Sequence, residues 1–179
     1  FIAKPVDDGC SSAVRKIKTK EELESFVKLI FRKSDELDAI SAGVLKIKAK
    51  EEFPRKRVFL IEELISRKDA PHFLEVTGGM LTRYNEKGII EFEVFEASEA
   101  LSEGEVLSLE EKFLAGQGQN ITPARYDSDP VKRQKISEYV KATLGQAARL
   151  LNIQGYTRID AFVRIYSPER VEVIFVEVN

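Results

Sequence analysis

The carboxyl-terminal part of the chain contains two apolar runs that constrain the fold more than any other feature. These runs cover residues 156–166 and 171–179 and are rich in Val, Ile, Phe and Tyr, residue types that favour β-strands. Ser-Pro-Glu-Arg lies between them at 167–170, where a turn accepts proline. The sequence therefore predicts an antiparallel hairpin closed by residues 167–170.

A symmetric hairpin closed by this turn brings polar residues of the two strands together. Asp160 then faces Glu177, and Arg158 faces Asn179. Because side chains alternate along a strand, all four point to one face of the sheet. Facing Cβ atoms are about 5 Å apart, and like charges placed opposite each other destabilise a sheet. A cation held by Asp160, Glu177 and Asn179 would remove that repulsion, and all-oxygen ligation suits Mg²⁺.

Two alternatives to a metal site remain open at this point. The four residues could form a solvated strand face that carries ordinary surface charge. A three-residue bulged turn would shift the pairing of the two strands and weaken the case for a shared cation. The register of the hairpin therefore decides whether a metal site is possible.

The amino-terminal residues combine a short apolar run with a loop of small residues. The run ends in Lys4 and Pro5, and the loop that follows contains Gly9 and two serine hydroxyls. Glycine and small side chains let backbone N–H groups approach a phosphate closely. The loop lacks the spacing of a Walker A motif, which excludes a P-loop protein.

Together with segments in the middle of the chain, these two ends resemble the ATP-grasp superfamily and, within it, the D-alanine–D-alanine ligases. The motifs occur in the family's order over essentially the whole chain, and the last two are specific in combination. The matching segments are Ala3-Lys4-Pro5, Gly9-Cys10-Ser11-Ser12, Phe59-Leu60-Ile61-Glu62-Glu63-Leu64-Ile65, Phe73-Leu74-Glu75-Val76-Thr77, Leu109-Glu110-Glu111-Lys112-Phe113-Leu114, Gly155-Tyr156-Thr157-Arg158-Ile159-Asp160 and Glu177-Val178-Asn179.

The resemblance implies that one group of residues binds the phosphates of ATP. Lys4 would neutralise phosphate oxygens, and Lys112 would clamp the phosphates from a second loop. Cys10 and Ser11 belong to the loop that would cover them.

A second group would bind the adenine and the ribose. Glu62 and Glu63 close an apolar strand beside the adenine, and Ile65 would contact the ring. Glu75 would hold the ribose. Val176 alternates away from Glu177, so it is expected in the core, with the floor of the adenine site as the alternative.

The resemblance also implies the chemistry. Asp160, Glu177 and Asn179 would hold Mg²⁺ or Mn²⁺ ions that bridge the β- and γ-phosphates. Arg158 would be catalytic, because it would stabilise charge on the transferring phosphate and on the tetrahedral intermediate. The implied activity is an ATP-dependent carboxylate–amine ligase that forms a peptide bond through an acyl-phosphate in peptidoglycan precursor synthesis. A ligase for other amino or carboxylic acids and a non-catalytic nucleotide-binding module remain alternatives.

Two residues depart from the family's pattern. Cys10 stands in place of the first loop serine, and Phe113 replaces the tyrosine after the phosphate-site lysine. In the family, that serine and tyrosine hydrogen-bond to each other and close the loop. A thiol is a weak donor and phenylalanine has none, so the identity of the second substrate stays open.

The expected fold class is α+β. An ATP-grasp fold would pack a small α/β subdomain against an antiparallel sheet with helices. Residues 1–66 would form part of the central subdomain, and residues 67–179 a truncated C-terminal subdomain. The family's N-terminal substrate domain is expected to be absent.

Local signals place the helices within this arrangement. A capping box at Thr19 and Glu22 predicts a helix that starts at about residue 20. Asp129 followed by Pro130 predicts a second helix start. Residues 100–128 are expected to form a long loop with a short helical piece around Lys112.

Composition limits the classes of partner that the protein is expected to bind. The net charge of −2, with lysines and arginines interspersed among acids, argues against nucleic acid. No apolar run approaches the roughly 18 residues that a membrane span needs, so a cytoplasmic protein without membrane contact is expected. The single cysteine excludes an internal disulfide. The partners implied by the resemblance are small molecules, including amino acids such as D-alanine, and a second copy of the full-length protein in a homodimer.

Overall fold

A computed structural model describes residues 1–9, 12–49, 51–101 and 120–179. Within these residues the chain has the predicted α+β class, with antiparallel sheets and a few helices. The described residues divide into two compact units, one holding residues 1–65 and the other residues 66–101 and 120–179. No helix among them is both long enough and apolar enough to cross a membrane.

The first unit is built on a three-stranded antiparallel sheet with strand order β2-β1-β3. The capping box predicted at its first helix is confirmed, because the Thr19 side chain accepts from the Glu22 N–H while the Glu22 side chain accepts from the Thr19 N–H. The elements are β1 (Ile2–Pro5), β2 (Arg15–Lys16), α1 (Lys20–Ile30), α2 (Ala39–Val44) and β3 (Phe59–Glu62).

Aromatic side chains hold the core of the first unit together. Phe26 of α1 is fully buried, and its ring centroid lies 5.5 Å from that of Phe53 and 5.2 Å from that of Phe59. Phe53 and Leu45 come from residues 34–57, a stretch that carries no clear periodic pattern in the sequence. This stretch therefore completes the core, although its own sequence predicts neither a helix nor a strand.

The second unit contains a six-stranded antiparallel sheet in the order β7-β6-β4-β8-β9, with β5 paired to β4. Asp129 caps its helix and proline occupies the first turn, as predicted. The elements are β4 (His72–Tyr84), β5 (Ile90–Val94), β6 (Ser98–Ala100), β7 (Asn120–Ile121), α3 (Pro130–Leu150), β8 (Tyr156–Ser167) and β9 (Arg170–Val178).

One face of this sheet is the core and the other face is polar. Along β4 and β8, buried residues alternate with more exposed ones over most of their length. The buried set meets α3 through residues that are fully or almost fully buried: Val76, Met80, Ile159, Ala161, Val163, Ile136, Val140 and Leu144. The opposite face carries Thr77 and Asp160, next to a stacked pair of rings from Phe73 and Phe162. The helix therefore covers one face of the sheet, and the polar face is the one that it does not cover.

Two short strands overlap the predicted 100–128 loop. Ala100 pairs with Asn120, and Glu99 pairs with Ile121, so the loop prediction was wrong at residues 100 and 120–121, whereas residues 122–128 are loop as predicted. The short strands escape a periodicity search because only two or three residues take part in each. Residues 102–119, with Lys112 and Phe113, lie outside the described residues.

An ion pair with a buried carboxylate joins β6 to the residues that follow β7. The guanidinium of Arg125 donates from Nε to Glu99 Oε2 and from Nη2 to Glu99 Oε1, both at 2.8 Å. The residue Glu99 is only 5% exposed. These hydrogen bonds hold the pKa of the Glu99 carboxyl below its usual range, and burial opposes that shift without reversing it.

The helix packs very closely on the sheet at Gly78. A Cβ built on Gly78 would lie 2.3 Å from Leu144 Cδ1, so the buried Leu144 side chain would have to move. We expect Gly78→Ala to lower the free energy of unfolding by about 1–3 kcal/mol through overpacking. Gly43→Ala is the matched control, because its Cβ meets nothing within 4 Å and it lies in α2. Gly43→Ala should raise stability by up to about 1 kcal/mol, since alanine is the better helix former. Equal shifts in urea unfolding for both variants would contradict the close approach.

The Glu99 pair generates a pH-dependent prediction. Because the pKa of Glu99 is lowered in the folded state, the pair stabilises the fold above the unfolded pKa of about 4.3. That contribution is lost as the pH falls through the folded pKa. We expect Glu99→Gln to cost about 1–3 kcal/mol at pH 7, because a charge-assisted bond is removed. The difference from wild type should shrink below about pH 4 in urea titrations; a pH-independent difference would show that ionisation of Glu99 is irrelevant.

Candidate functional site

Four neighbouring strands place a row of polar side chains across the polar face of the second sheet. Thr77 of β4 pairs with Asp160 of β8, and Asp160 pairs with Glu177 of β9. The row continues on β6, where Ser98 pairs with Thr77. Directly paired residues point to the same face of a sheet. The predicted opposition of Asp160 and Glu177 is therefore confirmed.

The next row contains the other two predicted residues of the hairpin. Arg158 and Asn179 exchange both backbone hydrogen bonds, at 2.9 and 2.8 Å, so they lie opposite each other as predicted. The turn also lies at residues 167–170, as predicted, because Ser167 pairs with Arg170. A one-residue shift in pairing does occur beyond the turn, from Ile165–Val171 to Ala161–Phe175, and the predicted register returns at Asp160–Glu177.

The hairpin departs from strict alternation at two points. Val176 is an extra residue on β9 between the pairs Asp160–Glu177 and Ala161–Phe175. Tyr166 is an extra residue on β8 near the turn, which shifts the register in the opposite sense. Because of the bulge, alternation does not fix the direction of Val176. At 41% exposed, Val176 is not in the core of this unit, so that expectation was wrong.

Asp160 is the most buried residue of the row and both of its carboxylate oxygens accept hydrogen bonds. The residue is 9% exposed. Its Oδ1 accepts from the Thr77 hydroxyl at 2.8 Å and lies 3.3 Å from Arg158 Nε. Its Oδ2 accepts from Arg158 Nη2 at 3.3 Å and from Asn179 Nδ2 at 3.2 Å. These donors balance the charge of a carboxylate that would otherwise be costly to bury.

The amide of Asn179 shows where the oxygens of the two carboxylates converge. Its Nδ2 lies 3.2 Å from Asp160 Oδ2 and 3.1 Å from Glu177 Oε1. One positively polarised group therefore already contacts an oxygen of each carboxylate. A half-turn of the amide would present its oxygen in place of its nitrogen, and the three side chains would offer the all-oxygen set that Mg²⁺ and Mn²⁺ accept. The donor set fits such an ion.

The described residues contain no group of three or more His, Cys, Asp or Glu side chains that could hold a metal. The set at the hairpin is of a different kind, because it has two carboxylates and one carboxamide. Mg²⁺ commonly needs only one or two protein carboxylates, because waters and phosphates complete its shell. The assignment of these residues to a metal therefore stays a prediction.

The first unit brings together two of the predicted nucleotide residues. Lys4 of β1 and Glu62 of β3 form an ion pair with 2.7 Å between Nζ and Oε2. Glu63 and Ile65 follow β3 outside regular structure, with Glu63 exposed and Ile65 half-buried. Cys10 and Ser11 lie outside the described residues.

The remaining predicted residue, Glu75, lies in the second unit. It is half-buried on β4 and pairs with Phe162 of β8 and Ala100 of β6. Glu75 is two residues before Thr77, so it points to the same sheet face as the polar row. The structure therefore places Glu75 and the predicted metal ligands on one face.

Two polar residues of the candidate sites escape sequence reasoning. The sequence places Thr77 in a strand but does not predict its contact with Asp160, because nothing in the sequence shows that β4 pairs with β8. Lys56 Nζ lies 2.9 Å from a carboxylate oxygen of both Asp7 and Asp8, just before the small-residue loop. The hydrogen bonds that the Lys56 ammonium donates to these two carboxylates raise the pKa of Lys56. The signal in the sequence for a residue such as Lys56 is the adjacent pair Asp7 and Asp8. Two acids beside a candidate phosphate loop need a basic residue nearby to neutralise them.

Two curated proteins are similar to this chain in sequence. Two curated proteins of Leptospira interrogans, from serovar copenhageni (strain Fiocruz L1-130) and serovar Lai (strain 56601), are each 28% identical to this chain over 169 residues. Both are named D-alanine--D-alanine ligase. The chain resembles D-alanine–D-alanine ligase. The match covers 94% of this chain and 38% of each ligase, so the chain spans well under half the length of these curated relatives. No protein-family profile matches it.

The Lys4–Glu62 pair leads to a prediction about its energy. The side chains of Lys4 and Glu62 are 22% and 46% exposed, so water screens their attraction. We expect the coupling free energy between Lys4→Met and Glu62→Gln to be below about 1 kcal/mol. Urea unfolding of the wild type, both single variants and the double variant measures it. The same cycle on Arg125 and Glu99 is the control and should give a larger coupling free energy, because Glu99 is buried. A larger coupling for Lys4 and Glu62 than for Arg125 and Glu99 would contradict this account.

Proposed function

We propose that the chain is the ATP-binding portion of an ATP-grasp ligase that joins a carboxylate to an amine. The observation that carries the proposal is the convergence of Asp160, Glu177 and Asn179 beside Arg158 on the polar face of the second sheet. The resemblance to D-alanine–D-alanine ligases supports the same reading. Residues 1–66 and 67–179 would be its central and C-terminal subdomains.

Each residue of the hairpin face has a role in this proposal. Asp160, Glu177 and Asn179 would hold Mg²⁺ or Mn²⁺, which supplies charge neutralisation at the β- and γ-phosphates. Arg158 is 3.3 Å from Asp160 and partly exposed, so its guanidinium can reach an incoming phosphate without leaving the face. It would stabilise charge that develops on the transferring phosphate, which is the main catalytic need of phosphoryl transfer.

The other predicted residues would bind ATP. Lys4, Cys10, Ser11 and Lys112 are assigned to its phosphates. Lys56 supports this assignment, because it neutralises two aspartates that would otherwise repel phosphate from the neighbouring loop. The residues assigned to adenine and ribose are Glu62, Glu63, Ile65, Glu75 and Val176.

The reaction would proceed through an acyl-phosphate. Transfer of the γ-phosphate to a substrate carboxylate activates it, and an amine then attacks the acyl carbon and expels phosphate. The proposed substrates are amino acids such as D-alanine, with a cytoplasmic role in peptidoglycan precursor synthesis and a homodimeric full-length protein. Cys10 and Phe113 leave other amino or carboxylic acids open as substrates.

Thermal unfolding with and without Mg-ATP tests the proposal. A ligand that binds only the folded state adds about 2.7 kcal/mol at a hundredfold excess over its Kd. For a chain of this length that corresponds to a rise in Tm of roughly 5–10 °C. We expect Asp160→Asn to lose most of this rise, because the substitution removes the carboxylate at the centre of the proposed metal site.

Glu169→Gln is the matched control. It makes the same carboxylate-to-amide change in the same hairpin, but at the turn, where Glu169 pairs with Lys135. This variant should gain as much stability from Mg-ATP as the wild type. If Asp160→Asn also gains the full amount, the hairpin face is a solvated surface and the metal assignment is wrong.

A further inference from the structure

The hydroxyl of Thr77 makes the shortest polar contact of Asp160. The Oγ1–Oδ1 distance is 2.8 Å, whereas the contacts from Arg158 and Asn179 are 3.2–3.3 Å. Thr77 belongs to β4 and Asp160 to β8, and the pairing of these strands places the two residues directly opposite each other. The contact therefore joins the hairpin to a strand that contributes no proposed metal ligand.

The contact determines which oxygen of Asp160 remains for a cation. The side-chain torsion of an aspartate carboxylate is broad, so the group rotates unless a partner holds it. Thr77 occupies Oδ1. The other oxygen, Oδ2, is the one that converges with Glu177 Oε1 on the Asn179 amide. A carboxylate rotated away from Thr77 would no longer direct an oxygen to that point.

We propose that Thr77 is a positioning residue for the metal: it holds the Asp160 carboxylate so that Oδ2 faces Glu177 and Asn179. The inference rests on the proposed function, because it assumes that these three side chains bind the ion. Partners that orient a ligating carboxylate typically change metal affinity by 10- to 100-fold, although they never touch the metal.

The position of Thr77 argues against a purely structural role. Thr77 lies on the polar face, where packing against α3 makes no demand on its shape. Valine has the same shape and is at least as good a strand former. The hydroxyl is thus the part of Thr77 that strand formation does not require, and its hydrogen-bond partner among the described residues is the proposed ligand Asp160.

Direct titration with Mn²⁺, without nucleotide, tests the role. Electron paramagnetic resonance counts the free ion up to millimolar concentrations and needs no turnover. We expect Thr77→Val to weaken Mn²⁺ binding at least tenfold, and Thr77→Ser to restore wild-type affinity, because serine keeps the hydroxyl. Thr157→Val is the control, since it makes the same change on the buried face of β8 and should leave affinity unchanged. Thr77→Ala removes the same hydroxyl and replaces the valine variant if that variant does not fold.

The outcomes separate this inference from the function on which it rests. A wild type that takes up no Mn²⁺, with Asp160→Asn behaving identically, would overturn the proposed metal site. Uptake by the wild type that is lost in Asp160→Asn but unchanged in Thr77→Val or Thr77→Ala would leave the site standing and overturn the role of Thr77. A serine variant as weak as the valine variant would also overturn it, because the hydroxyl would then not be the group that matters.

Discussion

The register of the β8–β9 hairpin is the constraint on which the candidate site depends. A slip of one residue moves a side chain to the opposite face of a sheet, so a single uncompensated bulge would separate Asp160 from Glu177. The hairpin contains two extra residues, Tyr166 on β8 and Val176 on β9, and their effects on the register cancel. The pairs near the turn and the pairs at the polar row therefore keep the alignment of a regular hairpin, although the pairs between them are shifted by one residue.

The two faces of the second sheet have different physical roles. The buried face packs on α3 so closely that Gly78 leaves no room for a methyl group against Leu144. This packing fixes β4 and β8, and the fixed strands in turn set the distance between Thr77 and Asp160. A site carried by strands is held more rigidly than one carried by loops. The distances between the side chains of the polar row therefore depend on the packing of the apolar core beneath it.

Local signals explain how much of this arrangement is predictable. The hairpin, the pairing of Asp160 with Glu177 and the helix starts at Thr19 and Asp129 all follow from neighbouring residues, and the structure confirms them. The partners of Asp160 from distant strands do not follow, because periodicity reveals a strand but not the strand beside it. The two bulges are also invisible to alternation, which is why Val176 was assigned to the core. Residues 34–57 have no periodic pattern, yet Phe53 completes a core through contacts with distant aromatic rings.

Within each unit, a candidate basic residue forms an ion pair with a candidate carboxylate of the same unit. Lys4 contacts Glu62, and Arg158 contacts Asp160, with one partner of each pair about half exposed. Exposed pairs contribute little to stability, since water screens them and fixing long side chains costs entropy. They do keep each cation in one orientation. In the proposed function, a phosphate that approaches Lys4 or Arg158 would meet a charge already in place and would displace a weakly held carboxylate. The Asp160 carboxylate released in this way would keep its hydrogen bond from Thr77.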